Sequence, residues 1–176
     1  MTQSFCTKFR RRSLVLAAAL LLSATGSAQN YRSPELRQSD LSKAYQKLQH
    51  AKLFNLGGVG FGAQITDEEK AFATIFDSAT ATILLQRLLN DASPEGKLYA
   101  LFGLRLKAPE TFHTEAERLK EAPPEPNDEL FPPAKGRVRL AHGCLLYEAE
   151  FQVAVEQIAK GQWDPMFRSG SRAPLN

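Results

Sequence analysis

The stretch from Ser93 to Leu106, SPEGKLYALFGLRL, limits what this chain can fold into more than any other part of it. Ser93 is a ready N-cap and Pro94 suits the first helical position. From Leu98 to Leu106 only Arg105 carries a charge. At about 100° per residue the apolar side chains therefore cover almost the whole helix circumference. Such a helix must be packed on more than one side, so the spacing predicts a central helix wrapped by other elements. Gly103 costs about 1 kcal/mol against alanine in a helix interior, and a close backbone contact explains its presence there.

The flanking sequence is written mostly in helical periods. Ser33-Pro34-Glu35 opens a helix expected to reach Lys52, with Leu41, Ala44, Tyr45, Leu48 and Lys52 on one stripe and Gln38, Lys43, Gln46, Lys47 and Gln49 solvated. Thr66-Asp67-Glu68-Glu69 is a capping box, and its helix turns Phe72, Ile75 and Phe76 inward. Asp77-Ser78 offers a break and a fresh cap for a helix from Ala79 to Asn90 with Ile83, Leu84, Leu85, Leu88 and Leu89. After the short Ala92-Ser93 turn comes the central helix, so these two form a helical hairpin. A further helix is expected from Pro109 to Glu121, with Phe112, Ala116 and Leu119 as its stripe and a solvated charged face.

The N-terminus has the form of an export signal. Lys8, Arg10, Arg11 and Arg12 make a basic region, the nine residues from Leu14 to Leu22 are apolar, and Ser23 to Ala28 is a small-residue tract. Nine apolar residues fall well short of the roughly 20 that span a bilayer, so a cleaved signal peptide is expected over 1–28. Arg11-Arg12 is only a partial twin-arginine pattern, which favours the general secretory route. The formal charge of +3 comes from 22 basic and 19 acidic residues. Removing four basic residues with the signal leaves 18 against 19, or −1, over the remaining 148 positions. That balance carries no electrostatic footprint for nucleic acid or anionic membrane. The remaining length suits one domain with a real core, and Cys144 is left as the single cysteine, with no internal disulfide open to it.

Residues 57–62 hold Gly57, Gly58, Gly60, Phe61 and Gly62 in a run that resembles a phosphate-binding loop. Three observations oppose that reading: a helix rather than a clear strand precedes it, it lacks the lysine of such loops, and Asp67, Glu68 and Glu69 already occupy the positive end of the next helix. The run reads instead as backbone needing positive φ and close approach, with Leu56, Val59 and Phe61 tucked onto the core. The functional alternative is a loop that contacts a peptide or ligand.

Five prolines between Pro123 and Pro133 mark an extended linker. Beyond it, Gly136–Cys144 alternates as a short strand, Glu148–Lys160 is an amphipathic helix capped by Gly161, and the chain from Asp164 onward reads as a loose tail, with Trp163 placed to anchor its start. The expected organisation is a signal over 1–28, a helical body over 29–122, a linker over 123–135, a strand-plus-helix appendix over 136–163 packed on the body, and a tail over 164–176. The fold class is mainly α.

The pair Thr82–Leu106, with Leu84, Leu88 and Leu89 in one helix, an Asn-Asp-Ala-Ser turn, and Ala100 and Leu104 in the next, resembles one HEAT-type unit. No second copy follows at a fixed period, and a solenoid needs about three. The Gly57-Gly58-Val59-Gly60 loop, the capped acidic helix, the Gly96–Leu104 segment and His142-Gly143-Cys144 together resemble a largely uncharacterised family of small exported bacterial proteins. One member of that family is associated with a microcin gene cluster. The resemblance spans most of the mature chain and implies no catalytic residues.

Chemistry is thinly written. His142 and Cys144 with Glu148 form the one cluster worth testing, as a thiol–imidazole nucleophile or a zinc site. Alternation in a strand places His142 and Cys144 on one face without any chemistry, and the paired spacing of zinc motifs is lacking. Tyr99 and Phe102 read as core, with a ligand pocket as the alternative; His50 and His113 read as surface. The functional expectation is an exported, non-catalytic module of the periplasm or extracellular space that binds a protein or peptide partner. It needs no cofactor or metal, and its candidate binding residues are Gly57, Gly58, Gly60, Phe61, Gly62, Tyr99, His142 and Cys144. The alternatives are a small thiol-dependent enzyme using Cys144 and His142, and an apolar-ligand carrier.

Overall fold

Helix α4 (Pro94–Lys107) is the element on which the others pack. The computed structural model describes residues 34–125 and 133–167, with side chains from Gln38 onward; the expected signal over 1–28, the middle of the proline-rich linker and the last nine residues lie outside them. Six α-helices, with a three-stranded sheet, are found among the described residues. They are α1 (Pro34–Gln49), α2 (Asp67–Phe76), α3 (Ala81–Asp91), α4, α5 (Pro109–Glu121) and α6 (Phe151–Ala159). The strands are β1 (Phe54–Val59), β2 (Arg137–Gly143) and β3 (Leu145–Glu150). The mainly helical expectation holds at that level.

Leu98, Tyr99, Ala100, Leu101, Phe102 and Leu104 of α4 are all 0% exposed. α3, α5, α6, α1, β1 and β2 all touch this helix, which is why its apolar surface runs all the way round. Burial of each large side chain contributes about 1.5–3 kcal/mol. A Cβ on Gly103 would lie 2.7 Å from a methyl of Leu85 and 3.1 Å from the Phe72 ring, so the missing side chain is what lets α2 and α3 close onto α4. At the other end of α4, Ser93 joins two helices. Its hydroxyl accepts from Gly96 N–H at 3.2 Å and donates to the Ala51 carbonyl at 2.7 Å, while its own N–H donates to the Gln49 carbonyl at 2.9 Å.

The hydrophobic stripes fall as expected. Ala44 and Leu48 of α1, Phe72, Ile75 and Phe76 of α2, Leu85, Leu88 and Leu89 of α3, and Phe112, Ala116 and Leu119 of α5 are buried. There are two exceptions: Ile83 faces outward, and Lys52 is exposed because α1 ends at Gln49, three residues short of the expected end. The fresh cap expected at Asp77-Ser78 is not used. Asp77 closes α2 instead, and α3 begins after Thr80 with no side-chain cap bond. α6 ends as expected at Gly161 (φ 71°), with Gly161 N–H on the Ile158 carbonyl and Gln162 N–H on the Gln157 carbonyl, the paired bonds of a Schellman motif.

The strand expected over Gly136–Cys144 is found as β2, but in the rest of the sheet local reading and structure part. Its order is β1-β2-β3, with β1 and β2 parallel (Phe54 opposite Leu140) and β2 and β3 antiparallel. The segment expected to be loop from Phe54 begins as a strand, because its partner lies some eighty residues away and no local pattern announces it. The expected Glu148–Lys160 helix starts only at Phe151, and Leu145–Glu150 is a strand paired along β2. The C-terminal piece therefore contributes two strands, and Phe151, Ala154, Val155 and Ile158 of α6 enter the same buried cluster as α4. The stretch expected to be a loose tail opens with a single 3-10 turn at Asp164–Met166. Phe167 then lies 5.1 Å from the Phe72 ring and 5.4 Å from that of Phe102. Trp163 anchors this return, 3% exposed and edge-on to Phe54 at 4.9 Å.

Candidate functional site

Two of the sequence-nominated segments meet at one end of the sheet, and a third nominee lies beneath it. In β1 the register slips between Asn55 and Val59, four residues there matching two of β2. Gly57 and Gly58 take φ of 87° and 85° in that bulge, and the slip turns their amides away from β2. Both amides donate to Glu69, Gly57 N–H to Oε1 at 2.9 Å and Gly58 N–H to Oε2 at 3.3 Å, and Asn55 Nδ2 adds a third bond at 3.3 Å. The glycine run is thus an anion-binding nest whose anion is the protein's own carboxylate. The capping box is half realised. Thr66 Oγ1 accepts from Glu69 N–H at 3.2 Å, but the Glu69 side chain goes to the glycines. Burial raises the Glu69 carboxyl above its ordinary range, and the two glycine amides offset only part of that rise.

Tyr99 belongs to this buried network rather than to a surface. It is 0% exposed, its hydroxyl donates to the Asn55 carbonyl at 2.9 Å, and it accepts from Asn55 N–H at 3.1 Å. Thr66 Oγ1 closes the network by donating to Asn55 Oδ1 at 2.9 Å. Burial holds the Tyr99 phenol far above its ordinary value, so it stays a neutral structural hydroxyl. The binding role considered for Tyr99 has no access to a ligand. Asn55 and Glu69 escaped the sequence reading as a pair. The capping box was the only signal for Glu69, and nothing local marks Asn55 as buried.

Beyond the bulge the backbone turns back on itself. Val59 and Gln64 exchange bonds at 2.9 and 3.1 Å, and Gly60 N–H donates to the Gly143 carbonyl at 3.0 Å. That last bond ties the glycine turn to the β2–β3 turn and makes one tip from both. Phe61, expected to tuck onto the core, stands at this tip with 106% exposure. The core beneath is already filled by Phe54 and Trp163, and the four-residue turn points Phe61 away from them. Cys144 occupies the β2–β3 turn itself, free and exposed. The turn, rather than strand alternation, therefore sets its direction relative to His142, which is exposed beside it with its ring 6.2 Å from that of Trp163. Gly60, Phe61, Gly62, His142 and Cys144 share the tip, whereas Gly57 and Gly58 serve the Glu69 nest behind it.

Among the described residues no three His, Cys, Asp or Glu side chains gather as metal ligands would. Two open grooves flank α1, one of about 490 Å³ against α2 and one of about 880 Å³ against α3. Neither is lined by the glycine turn, Tyr99 or His142. In the second, Tyr45 donates to Asp91 at 2.9 Å, and burial together with that carboxylate raises the phenol to about 12.

The chain has no match among protein-family models, curated proteins or solved structures.

Proposed function

We propose that the chain is an exported protein of the cell envelope that acts as a non-catalytic interaction module, presenting the sheet tip to another protein or a peptide. The observation that carries this reading is Phe61, a whole aromatic ring in solvent on a turn braced by the Gly60–Gly143 bond. Aromatic side chains, phenylalanine included, are enriched at protein interfaces, and a rigid turn presents one at little entropic cost. Export rests on the signal-like residues 1–28. The resemblance to the small exported family with a microcin-associated member favours the same class of role, and α3 with α4 supports the reading of a single HEAT-type pair used as scaffold for the sheet.

The test is capture from envelope extract with the tagged chain, comparing the unaltered protein with Phe61→Ser. A partner retained by the first and lost with the second supports the proposal. Equal retention by both removes the tip from the interaction. A hydrolytic activity that disappears in Cys144→Ser would instead favour the thiol-dependent alternative.

A further inference from the structure

β3 is the outer strand of the sheet, and among the described residues no further strand pairs with its far side. Its first half is apolar and bare, Leu145 at 69%, Leu146 at 70% and Tyr147 at 37% exposure. Open apolar edges template strand pairing, and natural sheets normally blunt them with charge, proline or a covering element. Here the blunting is confined to the second half. Arg137 lies 3.7 Å from the Glu148 carboxylate, and its guanidinium donates to the Glu148 carbonyl at 2.9 Å.

The hairpin geometry says which backbone groups face out. Only Gly143 and Cys144 connect the paired residues His142 and Leu145, and Gly143 has the positive φ (58°) that a type II′ turn needs at its first central residue. In a two-residue hairpin the closing pair is hydrogen-bonded, and bonded residues alternate from there. Leu145, Tyr147 and Ala149 therefore bond to β2, while Leu146 and Glu148 direct their N–H and C=O groups outward. The Arg137 bond to the Glu148 carbonyl fits that assignment.

We infer that the Cys144–Glu148 edge pairs antiparallel with the same edge of a second copy of this chain, about a two-fold axis through Leu146, joining two three-stranded sheets into one of six. Three features select this occupant and register. A two-fold perpendicular to a continuous sheet keeps faces together, so residues of like parity must oppose one another. An axis through Glu148 sets that carboxylate against its own copy, which is unfavourable; one through Tyr147 sets Leu146 against Glu148, and one through Leu145 overlaps only Cys144–Leu146 before the β2–β3 turn. An axis through Leu146 sets Leu146 on Leu146 and Leu145 on Tyr147 of the other copy, apolar on apolar. It also parts the two Glu148 residues by four strand positions, about 14 Å at 3.4 Å per residue, beyond the screening length of about 8 Å. The edge is thus complementary to itself in both polarity and charge. Phe61 hangs on the turn after β1, the opposite edge strand, so Phe61 remains open in the dimer while Cys144 at the same tip enters the pairing. This inference does not rest on the partner proposed above.

Sedimentation velocity of the full chain from about 1 to 300 μM is the test, since an overlap of about five residues belongs to the weak, micromolar class. A reversible monomer–dimer equilibrium is expected. Leu146→Pro removes an outward N–H and no bond to β2, and Leu146→Lys adds an edge charge; each should weaken the dimer at least 10-fold with the circular dichroism spectrum unchanged. In a Cys6→Ser background Cys144 is the one thiol of the sequence. A bismaleimide spanning about 14 Å should then couple two chains, whereas direct oxidation to a disulfide should not. A monomer throughout the range, a dimer indifferent to both Leu146 variants, or ready Cys144 disulfide formation overturns the inference. Phe61→Ser should leave the dimer intact, so loss of the partner and loss of the dimer are separable results.

Discussion

Replacing Gly96 with alanine tests the joint between α1 and α4. An ideal Cβ at Gly96 would lie 2.1 Å from the Leu48 carbonyl oxygen and 2.8 Å from the Ala92 methyl. A tolerated carbon–oxygen contact is about 3.3 Å or more, so the two helices must part by about 1 Å. The obstacle is backbone, which has no rotamer to give. The same movement stretches the bonds from Ser93 to Gln49 and Ala51, now 2.9 and 2.7 Å. Overpacking costs about 1–3 kcal/mol, and weakening two buried bonds adds about 1 kcal/mol each. The gain in helix propensity returns at most about 1 kcal/mol. The net loss is about 2–4 kcal/mol, which for a chain of this size lowers Tm by roughly 4–16 °C. Urea unfolding followed by far-UV circular dichroism reads it directly. Gly62→Ala is the control, since its nearest neighbour is a Gln64 side-chain carbon at 3.6 Å, and it should move stability by less than about 0.5 kcal/mol. A Gly96→Ala protein as stable as the original, with an unchanged m-value, would refute the close approach of the two helices.

Ser93→Ala should cost about 1–3 kcal/mol, because it removes a helix cap and strands the Ala51 carbonyl. Ser93→Thr keeps both bonds and should recover most of the loss. Ser93→Asp keeps only the cap and should not, and equal stability of the two would dismiss the second bond. Glu69 gives a pH signature. Its folded-state pKa lies above the ordinary carboxylate value, chiefly through burial, so the native state binds the extra proton more tightly than the unfolded chain. Its contribution is fully present below about pH 4.5 and is lost as pH rises through the raised value. The stability of the unaltered protein minus that of Glu69→Gln should therefore fall as pH climbs from about 4.5. A difference that stays flat or rises would contradict the burial-dominated environment.

The helices were legible because each carries its instruction within one or two turns. The period of Phe112, Ala116 and Leu119, the cap-and-proline start at Ser93-Pro94 and the Schellman glycine at Gly161 are local facts, and local hydrogen bonding answers them. Gly103 even announced a close approach, though not that Leu85 and Phe72 would make it. Of the sheet, only β2 was legible in the same way, from the alternation of Gly136–Cys144. Phe54–Val59 becomes a strand only when Leu140 and Ala141 arrive beside it, and Leu145–Tyr147 lacks polar alternation because neither face of that strand is buried there. The candidate site divides along the same line. Glycines requiring positive φ were visible as a composition, but whether their amides held a foreign anion or Glu69 depended on the turn of α2 toward β1. By itself the sequence determined a wrapped α4 and the helices around it, since i to i+4 bonding and apolar period are short-range. Only tertiary structure decided which polar groups were consumed inside and which, like Phe61 and the β3 edge, were left outside, since strand pairing and burial are settled between residues far apart in the chain.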